Sequence, residues 1–314
     1  MTTALTLLGY AALLAVLGPR LMGRARWTAA APRLAIATWL TLAASVVLAV
    51  VLAGVALVMP MDGFSGGPSG IVATCVAALQ SRYGPVGGLV LAVIGAMLTW
   101  LTPILLVVAG LARARRTAAE RARLRSRLAS ADFDDALGAV VIVSRRPAAY
   151  CIPGSGGTVV VTTGAVDLVE RDGLDAVLAH ERAHLAGRHH LLVALAGAAQ
   201  LALGRLPLFA VLPDRIGHLV ELAADDAAAR SANRRVLARS LLDFATARTA
   251  EAGALAISGG NTVARIERLL DGPQRPGIAG FGSILGGNAA AVAMPVVLAA
   301  VPMLTAVGMA CCPV

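Results

Sequence analysis

His180, Glu181 and His184 stand in the order His-Glu-x-x-His, inside a segment that reads as a helix. Residues four apart on an α-helix lie on one face, one turn above the other. Both imidazoles can therefore reach one ion, and nitrogen ligands suit zinc. Glu181 lies beside them, placed to act as general base on a water activated at that ion. The plain alternative is a surface helix that carries two His and a Glu. That reading is disfavoured because the chain has only 5 His, and two fall on this spacing.

Two imidazoles leave a catalytic zinc site incomplete, since such sites take three protein ligands and keep one position open. Glu221, in Glu221-Leu222-Ala223-Ala224-Asp225, is the expected third ligand. Asp225 shares its helix face. It is expected behind the ligands, accepting a hydrogen bond from an imidazole and fixing its tautomer. Asp214, after Pro213, is read as the cap of this helix, and His218 is the rival third ligand. The active-site helix is expected from near Asp172 to about His190, which makes His189 and His190 helix-end residues off the metal-binding face.

The elements around these residues belong to a membrane protein. The chain is 58% hydrophobic and only 14% charged, whereas soluble domains are nearer half apolar and a quarter charged. Apolar runs at Thr2–Leu17, Leu34–Pro60, Val86–Ala112 and about Ile284–Ala310 read as four transmembrane helices. The first lacks a basic leader and is read as a retained span. The net charge is +9, and every basic residue is Arg. These arginines cluster beside the spans (Arg20, Arg24, Arg26 and Arg33, then Arg113 to Arg127), a pattern that places both clusters in the cytoplasm. The loop Met61–Pro85 and both termini then lie outside, in a multi-pass plasma-membrane protein of bacterial type. Direct nucleic-acid binding is not expected, because aromatic residues for base stacking make up only 4%. The 4 Cys form no zinc-ligand pattern, and Cys75, Cys311 and Cys312 fall on the outer side of this topology.

The resulting organisation is a three-helix membrane region over 1–112, a basic linker over 113–130, a cytoplasmic α+β domain over 131–281 and a fourth span over 282–314. Within the domain, Val140–Ser144, Ala148–Ile152 and Thr158–Thr163 read as strands of a small sheet. The spacer Pro153-Gly154-Ser155-Gly156-Gly157 reads as a hairpin turn. It lacks the Gly-Lys-Ser/Thr ending of a phosphate loop. A substrate strand is expected to pair near Thr158–Thr163. The apolar run Leu191–Leu212 cannot be a single crossing, because His184 and Glu221 must meet on one side. A helical hairpin, an apolar helix against the bilayer or a buried core helix all satisfy that constraint.

The stretch Ala176–His184, Glu221-x-x-Ala224-Asp225 and Arg265-Ile266-x-Arg268-Leu269-Leu270 together resemble the BlaR/MecR-type membrane zinc metallopeptidases. More distantly they resemble the HtpX and CAAX-prenyl-protease group. The resemblance implies a zincin-like cytoplasmic protease with His180, His184 and Glu221 on zinc and Glu181 as base. It also implies a protein substrate, such as a cytoplasmic transcriptional repressor. The receptors of that family carry an extracellular penicillin-binding sensor, which this sequence ending at Val314 is expected to lack, so a signal is expected from a separate sensor partner, from the Met61–Pro85 loop or from the membrane itself. Membrane-protein quality control and a non-catalytic signalling scaffold are the competing readings.

Overall fold

A stripe of small side chains packs the first helices together. Ala4, Leu7, Ala11, Ala15, Gly18 and Met22 recur on one face of α1 (Thr2–Arg24), a helical spacing. They face Ala35, Trp39, Ala43, Val46, Ala49 and Ala53 of α3 (Pro32–Val58) in one buried cluster. In this computed structural model, residues 1–58, 68–128, 131–154, 156–252, 259–272 and 277–311 are described. Four helices among them have the length and hydropathy of membrane spans: Thr2–Arg24, Pro32–Val58, Tyr83–Ser126 and Ile278–Val301. A four-residue helix, α2 (Trp27–Ala30), links the first two.

The third span differs in detail from the sequence expectation. Helix α4 begins at Pro68 and runs to Ala96, broken at Gly84 (φ 76°) just before Pro85. Much of the expected outer loop Met61–Pro85 is therefore helical, since no Gly or Pro interrupts Ile71–Tyr83. Residues 59–67 of that loop, and the side chains of Cys75, Cys311 and Cys312, lie outside the described residues. A π-helical turn, Met97–Leu101, then leads into α5 (Thr102–Arg127). It sits where Pro103 withdraws a backbone donor from the α-helical ladder. The arginines from Arg113 onward continue this same helix.

Polar contacts fasten the last helix, α12 (Ile278–Cys311), to the first two spans. Tyr10 Oη donates to Ala291 O at 2.9 Å, and Asn288 Nδ2 donates to Thr38 Oγ1 at 3.1 Å. Such contacts hold helices together where lipid offers no competing hydrogen bonds. At Gly54 the backbones of α3 and α4 cross closely, and a Cβ there would sit 2.6 Å from Gly95 O.

The remaining chain is mainly helical around a small mixed sheet. Strands β1 (Asp132–Asp134), β2 (Ala139–Ile142), β3 (Ala149–Ile152) and β4 (Thr158–Thr162) lie in the order β1-β2-β4-β3. β2 pairs with β4 in parallel, and the two outer pairs are antiparallel. β4 is thus central, with neighbours on both sides, and β3 is an edge. This order corrects the expectation that a substrate strand pairs near Thr158–Thr163, because those ladder groups are already used. Thr162 Oγ1 caps α6 (Thr163–Leu168) by accepting from Ala165 N.

Helix α7 (Arg171–Ala186) lies between the sheet and the later helices. Leu174 and Leu178 pack on Ala139, Val159 and Val161. On its other side, Ala176 meets Ala228, Leu237, Ala238 and Leu269. Helices α8 (His189–Leu203) and α9 (Pro207–Ala228) form a hairpin. Its buried residues, among them Ala196, Leu208, Phe209 and Leu212, join the α1–α3 cluster. The run Leu191–Leu212 is therefore a helical hairpin against the spans, one of the three arrangements compatible with its sequence. Helix α9 passes through Pro213, so Asp214 does not cap it. The chain continues through α10 (Arg234–Ala252) and α11 (Gly259–Asp271).

Candidate metal centre

The two imidazoles of α7 project toward the middle of α9. His180 Nε2 and His184 Nε2 lie 3.1 Å apart. Glu221 Oε2 is 3.5 Å from the first, and Glu221 Oε1 is 3.4 Å from the second. Among the described residues these three side chains form the one group of His, Cys, Asp or Glu gathered closely enough to hold a metal ion. Zinc–nitrogen and zinc–oxygen bonds near 2.0–2.1 Å place tetrahedral ligands about 3.3 Å apart. The three observed edges fit zinc on that measure, and the donor set of two imidazoles and one carboxylate fits it chemically.

Each imidazole turns its other nitrogen to a partner. His180 Nδ1 lies 3.0 Å from Asp225 Oδ1, although the N–H does not point squarely at it. Arg265, arriving on α11, grips Asp225 with a two-pronged fork. Its Nε and a terminal nitrogen lie 2.8 Å from the two carboxylate oxygens. Its remaining nitrogen is 2.9 Å from Glu221 Oε2. His184 Nδ1 meets the ring of His189, Nδ1 to Nδ1, at 2.9 Å. With His184 Nε2 turned to the ligand cluster, His184 Nδ1–H donates and His189 accepts.

Position explains the charges. Burial lowers the pKa of His180, yet hydrogen bonds to Asp225 and Glu221 outweigh it and hold the ring at about 9. Burial and the neighbouring His180 bring His184 down to about 4. Asp225 is wholly buried. Its burial opposes ionisation, but the Arg265 fork and His180 hold its carboxyl at about 2. Glu181 is raised above the usual carboxylate range, first by burial. Burial, then the Glu181 charge and a hydrogen bond to it, push the Cys151 thiol up to about 12. That contact sets edge strand β3 directly beside Glu181. A cleft of about 150 Å³ opens at this point, with Ala149, Glu181 and Glu221 along it and Leu237, Leu241 and Phe244 as an apolar wall.

His180, Glu181, His184, Glu221 and Asp225 are thus brought together. His218 is not among them. It lines a separate cavity with Arg26 and Arg268. His189 is closer to the site than its sequence position implied. Helix α7 stops at Ala186, and Arg188 takes a left-handed backbone (φ 49°). The chain therefore turns back and delivers His189 to His184. Gly187 was the available signal, since glycine follows helix ends. Arg265 and Cys151 come from distant segments, and no local spacing announced their contacts with the site.

Residues 114–212 match peptidase family M48. No curated protein and no solved structure matches the chain. The matched stretch contains both imidazoles and Glu181 but ends before Glu221, so the third ligand is supplied by the fold. Taken with the membrane-length helices and the His180–His184–Glu221 group, the match over that stretch supports a membrane zinc metallopeptidase similar to family M48.

Proposed function

We propose that the chain is an endopeptidase working at the cytoplasmic face of a bacterial-type plasma membrane, and that it cleaves a regulatory protein such as a transcriptional repressor. The observation that carries the catalytic part is Glu181, a half-buried carboxylate with a raised pKa in the same cleft as His180 and Glu221. Bound zinc supplies Lewis-acid polarisation of the scissile carbonyl and a lowered pKa for the attacking water. Glu181 accepts the water proton at its carboxylate and returns it to the leaving amine nitrogen. His180, His184 and Glu221 hold the ion, while Asp225 and His189 fix the two rings. The substrate backbone pairs with the free edge of β3, antiparallel to it.

The sidedness rests on connectivity and charge. Arg268 Nε donates to Ala29 O at 2.7 Å, tying the loop between the first two spans to the protease domain. That loop and the end of α5 leading into the domain carry the arginine clusters, which favours the cytoplasm for both. The domain over 131–281 then lies inside and both termini lie outside.

The test compares newly formed protein N-termini in cells that express wild type or Glu181→Gln. One repressor cut only by the wild type is the expected result, with zinc content equal in both. Equal proteolysis by the variant removes Glu181 from the mechanism. A scatter of damaged membrane proteins replaces the regulatory reading with quality control.

A further inference from the structure

The glycine-rich turn and the arginine-rich end of α5, both left over by the catalytic reading, meet at one place. Edge strand β3 leaves the catalytic cleft at Cys151 and runs into Pro153 and Gly154. There it borders a second cavity of about 400 Å³, lined by Gly157, Leu185, Arg188 and His190 as well. Arg125 donates to Pro153 O at 3.0 Å, which holds its guanidinium against Pro153, a residue of the cavity wall. Gly154 (φ 153°) leaves room for it, because a Cβ there would clash with the Arg125 head. Arg121 and Arg188 both lie near enough to His190 to help burial lower its pKa. No carboxylate lines the cavity, and among the described residues none pairs with Arg121, Arg125 or Arg188.

We infer that this cavity is a substrate subsite for acidic side chains, reached along the free edge of β3. The inference rests on the proteolytic reading above and names its substrate class: an extended segment carrying Asp or Glu on one side of the cut. Cys151, beside Glu181, and the cavity residues Pro153 and Gly154 are two or three residues apart along this strand, so the acidic side chain lies roughly two or three residues from the scissile bond. With the substrate antiparallel to β3, it lies on the N-terminal side of that bond. The guanidinium groups of Arg188 in the cavity wall and Arg125 beside it, neither paired with a carboxylate among the described residues, attract such a segment and fix its register.

The experiment measures binding apart from cleavage. The full chain carrying Glu181→Gln, zinc-loaded in phosphatidylcholine nanodiscs, is titrated into two fluorescein-labelled decapeptides of Val, Thr and Ala. One carries three consecutive Glu and the other three Gln. The expected result is at least tenfold tighter binding of the Glu peptide, weakened by salt. Arg125→Gln combined with Arg188→Asn should bring the two peptides within twofold of each other. Asn is chosen because it tolerates the left-handed backbone at position 188. Equal affinities, absence of binding, or a preference that survives the double substitution overturns the subsite. Displacement of the Glu peptide by micromolar glycerol phosphate also overturns it, assigning the cavity to a lipid headgroup instead. Glu181-dependent cleavage of casein by the wild type tests the proteolytic reading separately, and can succeed where the subsite fails.

Discussion

The two imidazoles of the metal centre are supported in opposite ways. Behind His180 stands a charged assembly, with a wholly buried Asp225 held by the Arg265 fork and Glu221 held by the same guanidinium. Behind His184 stands a second imidazole, His189, buried and uncharged at the helix break. The charged side is costly to assemble, because ions lose hydration on burial, and costly to break, because removal of one partner strands the others. The neutral side carries little desolvation cost and works by direction alone. Stability should therefore depend on the first side, and ring alignment on both.

Arg265→Met gives the largest expected effect. It leaves Asp225 and Glu221 facing each other without their shared cation, and loss of one partner from a buried pair costs about 3–5 kcal/mol. The thermal unfolding midpoint of the detergent-solubilised protein should fall, together with zinc content. An unchanged midpoint would show that the fork contributes nothing to the fold. Asp225→Asn comes next. It keeps the shape but removes the charge behind His180, and loss of such a partner typically lowers metal affinity about 10–100-fold. Zinc competition against a chromophoric chelator measures this. Affinity within twofold of wild type would place Asp225 outside the support of the ligand.

The contrast between the two sides was only half legible in the sequence. His180 and His184, and again Glu221 and Asp225, are separated by one helical turn, so local periodicity displays them. Membrane-length apolar runs are similarly visible, because hydropathy is summed over one continuous segment. His189 escaped because one helix reaching His190 would aim it off the metal face, and the break at Gly187–Arg188 redirects it. The sequence alone places the substrate edge at β4, because strand order depends on pairing between distant segments. Val159–Val161 are buried as a central strand requires, but the same pattern also fits an edge packed under helices. Arg265 contacts carboxylates on another helix, a relation that no periodicity within α11 encodes.

The neutral side offers the smaller and more selective tests. His189→Leu removes the acceptor for His184 Nδ1 and should weaken zinc binding about tenfold, the low end for such partners. His189→Gln, with an amide oxygen able to accept, should recover most of it. Gly187→Ala reaches the same ring from its other edge. A Cβ at this position would lie 2.3 Å from His189 Nε2, so the ring must shift. The expected loss in zinc affinity is below about tenfold, because the acceptor is displaced and not deleted. The decisive comparison is Gly187→Ala in the His189→Leu background. Substitutions that act through one shared contact are not additive. The glycine substitution should therefore weaken zinc binding in the wild type and change it little once His189 no longer supports His184. Equal losses in both backgrounds would mean that Gly187 acts on the end of α7 itself, where the added Cβ also comes within 3.1 Å of Ala183 O. The alignment of His184 would then depend on the helix end and not on the neighbouring ring.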